Sequence, residues 1–446
     1  SALFAMNPTT ATNTYNTGVG YHAGRLISTG IENTLVGGLA GDAITTGSQN
    51  VALGYLALSS DDLGSDSVAI GKGALENQNY TTATNSYNTA VGRDAGNDIT
   101  TGIENTLIGG LAGDALTDAD FNVAVGRAAL SADTLGSRSV AIGDGALFVQ
   151  NFTTATNTNN TAVGFGSLGF DQLGSKTTAI GFRALGTQRF TTATDSNNTA
   201  VGYDAGLEVT TGVNNVLIGS LAGDALTTGG ANVAIGYKAL STEDGHGSNV
   251  AIGFKALEDL NAGATGNNVA VGQSAGANVT TGVSNTLIGA SAGDALTDAD
   301  NNVAIGIGAL GADTLGSRSI AIGESALATQ NFTTAALSYN TVVGSAAGFA
   351  VTTGNNNTFV GGLAGDAITT GSRNTLIGLS SGGALATANS DNTFIGTSSG
   401  ENITSGDANT ILGRYNGNQG SLDIRTLSNN IVLSDGDGNP RLLITS

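Results

Sequence analysis

One pentapeptide recurs along nearly the whole chain of 446 residues and limits what the chain can fold into. It consists of Asn, then Thr or Val, then a small or apolar residue, then Val, Ile or Leu, then Gly. There are 23 copies between Gly20 and Gly413, and most neighbouring copies lie 17 residues apart; four gaps are 21 residues, one is 19 and one is 18. A fixed short period predicts a solenoid, in which each repeat forms one coil that stacks on the next.

The middle of the pentapeptide predicts a short β-strand. β-Branched residues favour strands, and the closing Gly permits a tight bend. Because successive strand residues face opposite sides, apolar residues at both the third and the fourth positions predict burial on both faces. The coil interior covers one face, and an identical neighbouring chain is the simplest cover for the other. We expect these third-position residues to lie in the core or the oligomer face: Ala69, Leu107, Ala124, Leu217 and Phe359.

Composition excludes several classes of function. The chain has 69 Gly, only 2 Pro, no Cys and two His, so collagen, disulfide frameworks, thiolate sites and multi-histidine metal sites are excluded. Fifteen basic residues against 35 acidic ones give a net charge of −20, which disfavours nucleic acid. No apolar stretch is long enough for a membrane span. We therefore expect a non-enzyme with no catalytic residue, no cofactor, no metal and no direct membrane insertion.

The repeat also suggests how the chain is divided. Residues 1–15 precede the first pentapeptide and are expected to be a lead-in, and residues 16–413 are expected to form the solenoid shaft. The pattern stops after Gly413, so residues 414–446 are expected to form a terminal hairpin segment that caps the open strand edge.

The 21-residue gaps contain insertions that could bind a partner, because insertions in repeat proteins collect on one side. Each pairs an aromatic residue with hydroxyl groups, which suits stacking on a sugar or packing on a protein. The alternative is that the rings pack onto the shaft and hold each loop down. The candidate binding residues are Tyr80, Thr81, Phe152, Thr153, Phe190, Thr191, Phe332 and Thr333.

Two other recurrent polar residues have a structural and a functional interpretation. The first-position Asn, present in 19 of 23 copies, could bind sugars, but a hydrogen-bonded ladder along the stack is the preferred interpretation. The Asp of the Ala-Gly-Asp-Ala segments could bind calcium, and a solvated turn residue is the preferred interpretation. These residues are Asp42, Asp114, Asp224, Asp294 and Asp366.

Segments such as Ser67-Val68-Ala69-Ile70-Gly71 and Asn232-Val233-Ala234-Ile235-Gly236 resemble the head repeats of trimeric autotransporter adhesins of the YadA type. Similar repeats occur in phage tail-fibre-like proteins. The resemblance implies a left-handed parallel β-roll, assembled as a homotrimer on a bacterial or virion surface and used for attachment. The 17-residue spacing is longer than the usual adhesin repeat, so the coil must be wider or carry a longer turn.

The repeat predicts an all-β parallel solenoid of about 23 coils, and the resemblance implies its assembly as a homotrimeric fibre. The predicted function is a non-catalytic extracellular fibre or adhesin that binds a surface glycan or a protein receptor. A purely structural filament or spacer is the main alternative. A glycan-cleaving tailspike would need a carboxylate pair. An ice-binding solenoid would need a regular Thr array, yet Thr occupies the second position in only 13 copies.

Overall fold

The computed structural model describes residues 1–6, 13–386 and 388–445, which are all β-structure and connecting turns. Residues 7–12 of the predicted lead-in and Ser446 of the predicted cap lie outside this range. Two compact units make up the chain, Ser1–Thr228 and Gly229–Ser446. Within the described ranges, no helix has the length and apolarity needed to cross a bilayer.

The described residues of the first unit contain twelve three-residue strands, one at each pentapeptide. Successive strands within this unit pair in parallel, so that equivalent residues stand opposite one another, as Leu107 does with Ala124. The parallel solenoid predicted from the sequence is therefore confirmed. The strands are Thr17–Val19, Thr34–Val36, Val51–Leu53, Val68–Ile70, Thr89–Val91, Thr106–Ile108, Val123–Val125, Val140–Ile142, Thr161–Val163, Thr178–Ile180, Thr199–Val201 and Val216–Ile218.

The second unit repeats this arrangement with twelve more strands in its described part. The last of them, Ile431–Ser434, was not counted in the sequence because Ser434 stands where the corner Gly would be. It nevertheless pairs in parallel with Thr410–Leu412, and Asn430 continues the Asn series. The strands are Val233–Ile235, Val250–Ile252, Val269–Val271, Thr286–Ile288, Val303–Ile305, Ile320–Ile322, Thr341–Val343, Thr358–Val360, Thr375–Ile377, Thr393–Ile395, Thr410–Leu412 and Ile431–Ser434.

Shorter strands complete each unit. In the first unit, two-residue parallel pairs join Gly64–Ser65 to Thr84–Asn85, Gly136–Ser137 to Thr156–Asn157 and Gly174–Ser175 to Thr194–Asp195. In the second unit, Gly316–Ser317 pairs with Ala336–Leu337, and Asn418–Gln419 pairs antiparallel with Leu422–Asp423.

The second unit ends in an antiparallel hairpin. Its two strands are Ile431–Ser434 and Pro440–Ile444, joined by a turn in which the Asp435 carboxylate accepts a hydrogen bond from Asn439 N at 2.9 Å. The first strand of the hairpin belongs to the parallel ladder as well. The second strand therefore occupies the edge of that ladder that a further coil would otherwise extend.

The corner glycine is dictated by close stacking of the coils. Gly92 has a φ of +146°, and a Cβ placed on it would lie 2.3 Å from the carbonyl oxygen of Gly109. A side chain at this position would both strain the backbone and collide with the next coil. This is the physical reason why the pentapeptide ends in Gly.

The interior is filled by alternating large and small residues. Third-position side chains point inward, and Leu107 is fully buried between Gly96 and Gly113. A Cβ on either glycine would approach a Leu107 methyl group to 2.7 or 2.8 Å. A third-position Leu therefore needs two successive coils with glycine at that place, since packed cores leave no room for a further carbon. The same arrangement surrounds Leu35, Leu217 and Leu287.

Candidate functional surfaces

From Asn33 onward, the first-position Asn residues are buried structural groups. Asn33 Oδ1 accepts a hydrogen bond from Asn50 N at 3.0 Å, and Asn50 Nδ2 donates to Gly64 O at 2.9 Å. Each Asn side chain thus links the backbone of the next coil to its own, which satisfies polar groups that would otherwise be buried without partners. The predicted ladder is present, although its main contacts are to backbone atoms, and the buried amides are not available to a sugar.

The four insertions are anchored by a buried glutamine that the sequence analysis did not single out. Gln78 Nε2 donates to Asp61 Oδ2 at 2.7 Å and to Ser67 Oγ at 2.8 Å. Its Oε1 accepts from Asn88 Nδ2 at 2.9 Å. Gln150, Gln188 and Gln330 make the same three contacts in their own coils. The inserted Gln replaces the missing Asn and carries the polar ladder across each insertion.

A signal for this arrangement is present in the sequence. The four coils whose first position is Ser or Thr are the same four that precede the 21-residue gaps. Their residues are Ser67, Ser139, Thr177 and Ser319. A shorter hydroxyl side chain leaves room for the inserted amide, so the two departures from the repeat form one structural unit.

The carboxylates that receive the inserted glutamines are themselves buried. Asp61 Oδ1 also accepts from Gly64 N at 2.9 Å, and Asp133 Oδ1 accepts from Phe152 N at 3.0 Å. Burial raises the pKa of Asp61, Asp133 and Asp171, and the hydrogen bonds from the glutamines partly offset this rise. These carboxylates hold the insertion in place and face the interior of the chain.

The predicted binding residues fall into two groups. The rings of Tyr80, Phe152, Phe190 and Phe332 are between 2% and 8% exposed, and the Tyr80 hydroxyl donates to Gly102 O at 2.8 Å. These rings pack on the shaft and have no free face for a sugar. Thr81, Thr153, Thr191 and Thr333 are exposed, each beside its buried ring. Each insertion therefore presents a threonine-rich surface over an aromatic anchor, at a separate place along the chain.

The third-position residues lie in the interior of their own chain. Of the two locations expected from the sequence, the core and the oligomer face, they therefore occupy the core. Ala69, Leu107, Ala124, Leu217 and Phe359 are fully buried. The outward side chains are those at the second and fourth positions. Fourth-position residues remain between 37% and 56% exposed in these strands of the first unit: Val19, Leu53, Ile108, Ile142, Ile180 and Ile218.

This outward strand face is uniformly uncharged. The second position holds Thr, Val or Ile, and the fourth position holds Val, Ile or Leu, in every strand of the ladders. The chain as a whole carries a net charge of −20, so the face is set apart from the rest of the surface. An uncharged face that exposes a row of Val, Ile and Leu side chains is typical of an interaction surface.

The Ala-Gly-Asp-Ala aspartates are half-buried turn residues. Burial raises the pKa of Asp42, Asp114, Asp294 and Asp366. In the part of the chain that the structure describes, one group of potential metal ligands converges, and it lies elsewhere: Glu243, Asp244 and His246, whose ligand atoms lie within 4.8 Å of one another. Glu243 is used by the fold, since its oxygens accept from His246 N at 2.9 Å and Ala262 N at 3.1 Å.

The sequence matches no known protein-family model, and no curated protein is similar to it at a significant level. The function is therefore inferred from the repeat and from the surfaces that it presents.

Proposed function

We propose that this protein is a non-catalytic fibre that assembles as a homotrimer, is displayed outside the cell on a bacterial or virion surface, and mediates attachment. The observation that carries the proposal is the outward strand face, which is uncharged, exposes a row of Val, Ile and Leu side chains, and is not covered by other parts of the described chain. Burying such a face contributes roughly 25 cal/mol per Å² of apolar area. Identical chains supply a matching face at every coil.

The buried polar groups support a structural rather than a catalytic use of the repeat. The interior carboxylates of the insertions are held by glutamine and backbone N–H groups, and they recur with the repeat. A glycosidase needs two carboxyl groups that flank a substrate bond. The exposed threonines of the insertions and the turns of the coils would supply the surface that meets a receptor.

Two measurements test the proposal. Native mass spectrometry or sedimentation should give a particle of three chains, and a stable monomer would remove the trimer. Binding of the purified fibre to bacterial cells and to their surface polysaccharides should be saturable. A fibre that binds nothing would favour the alternative of a structural spacer, and release of reducing sugar from a bound polysaccharide would favour an enzyme.

A further inference from the structure

A groove of about 460 Å³ opens in the first unit, where the repeat is least regular. The 21-residue gaps that end at Gly164 and Gly202 are separated by a single 17-residue gap. Elsewhere in the chain, at least three shorter gaps lie between one 21-residue gap and the next. The walls include Phe148, Phe165 and Phe170. A binding site at such an irregular place occurs once in the chain, whereas a site built from the regular repeat would recur in every coil.

The floor of the groove is made by glycine backbone. Gly145 and Gly166 occupy the second position after their corner glycines, and Gly169 and Gly186 occupy the fifth. A Cβ on Gly145 would meet no heavy atom within 4 Å. The missing side chains at Gly145 and Gly166, where a Cβ would come no closer than 3.8 Å to another heavy atom, therefore leave open space beside walls that carry large rings.

The walls carry exposed aromatic rings. Six of the 13 Phe residues lie between residues 148 and 190, and two of them are the buried anchors described above. Phe148 is 47% exposed, Phe165 is 54% exposed and Phe170 is 61% exposed. Phe165 also stacks on Phe182 with a centroid separation of 5.4 Å, which fixes the orientation of this wall. Exposed rings in a formed, concave site are typical of ligand pockets.

The polar groups at the rim are nearly balanced in charge. Arg127 donates two hydrogen bonds to Asp144, at 3.1 and 3.0 Å, and Arg183 donates two to Asp204, at 3.0 and 2.8 Å. A cationic ligand would find these carboxylates already paired. An anionic ligand would meet Glu208 at the rim and a chain with a net charge of −20.

We propose that this groove binds a short neutral oligosaccharide, a ligand class that rests on the attachment function proposed above. The C–H faces of the sugar rings would pack on Phe148, Phe165 and Phe170. Their hydroxyl groups would exchange hydrogen bonds with the guanidinium and carboxylate edges at the rim. The volume lies within the range of about 300–1,000 Å³ that is usual for ligand pockets.

The test uses the intact fibre and an array of neutral hexose oligosaccharides, printed beside sialylated and uronic-acid oligosaccharides of similar length. Wild-type protein should bind neutral members, and Phe170→Ala should weaken that binding at least about tenfold through the loss of an aromatic wall. Phe349→Ala is the matched control. Phe349 occupies the same fifth position after its corner glycine as Phe148, is 45% exposed, and lies in the other unit. The Phe349→Ala variant should bind the neutral oligosaccharides as tightly as the wild-type protein does.

The mass of the assembly and the melting temperature of each variant are measured alongside. A smaller assembly with Phe170→Ala would show that another copy of the chain covers the groove, and this would overturn the proposal. Equal binding of acidic and neutral oligosaccharides would also overturn it. If Phe170→Ala binds cells and oligosaccharides as tightly as the wild type does, the attachment function is retained but the groove is not the binding site. If the wild type binds neither cells nor oligosaccharides, both the attachment function and the oligosaccharide site are contradicted.

Discussion

Gln150 shows how a repeat protein accepts an insertion without losing its buried hydrogen bonds. Its amide stands in for the Asn side chain that Ser139 cannot supply, and it contacts Asp133 Oδ2 at 2.5 Å, Ser139 Oγ and Asn160 Nδ2. The insertion brings its own replacement for the polar link that it interrupts. Its ring, Phe152, then covers this network from water.

Replacing Gln150 with Ala should destabilise the first unit by roughly 1–3 kcal/mol, because the buried Asp133 Oδ2 and one N–H of the Asn160 amide each lose the hydrogen bond to the Gln150 side chain. Chemical denaturation measures the change, and limited proteolysis should show earlier cleavage near residues 153–155. Gln49→Ala is the control. Gln49 is exposed and its side-chain amide donates to the Glu32 carboxylate at 3.2 Å, so the loss of this side chain should change stability by less than about 0.5 kcal/mol. Equal effects of the two changes would contradict the anchoring role.

At the scale of the strand, adjacent residues have different roles. Leu107 points inward between two glycines and is fully buried, whereas Ile108, the next residue, points outward and is 40% exposed. The strand alternation predicts that the two differ. It does not predict which of the two faces the interior, because both positions carry apolar residues throughout the repeat.

Leu107→Ala and Ile108→Asp should therefore separate folding from assembly. Leu107→Ala leaves a cavity between Gly96 and Gly113 and should lower stability by about 2–5 kcal/mol. Ile108→Asp places a charge on the outward face, so the secondary structure should persist while the trimer weakens. Circular dichroism measures the secondary structure and the thermal stability of each variant, and native mass spectrometry measures whether the trimer persists. A trimer unaffected by Ile108→Asp would show that this face is not the contact between chains.

The coil, its period and the parallel stack could be predicted from the sequence because every coil repeats the same local structure: a short strand, a Gly corner and a buried Asn. The sequence pattern placed residues 414–446 in a terminal hairpin but did not predict that Ile431–Ser434 also continues the parallel ladder, since that strand lacks the corner Gly and is recognised as part of the ladder only through its pairing with Thr410–Leu412. The roles of Asp61 and Gln78 were also missed. They lie 17 residues apart in the chain, and their contact depends on the coils being stacked.

The whole molecule combines a net charge of −20 with a series of half-buried and buried aspartates. Desolvation raises the pKa of the interior groups Asp61, Asp133 and Asp171. Exposed aspartates paired with basic residues have lowered pKa values, such as Asp195 beside Lys176 and Asp391 beside Arg373. Those pairs lie at the surface, where ion pairs contribute little to stability.

The folded protein should therefore become more stable as the pH is lowered from 7 to about 4. The interior carboxyls bind protons more tightly in the folded chain than in the unfolded chain. Their contribution is fully present below the ordinary Asp pKa and is lost as the pH rises through their raised values. Protonation also reduces the repulsion among the acidic groups. Melting temperatures at several pH values, at constant ionic strength and protein concentration, measure the effect.

The triple variant Asp61→Asn, Asp133→Asn, Asp171→Asn identifies the groups responsible. It removes three of the titrating interior carboxyls while keeping their size, so its melting temperature should vary less with pH than that of the wild type, whatever its absolute stability. A matched variant at exposed aspartates, Asp195→Asn with Asp391→Asn, should keep most of the wild-type slope. A wild-type protein that loses stability between pH 7 and about 4 would show that the surface pairs outweigh the buried carboxyls.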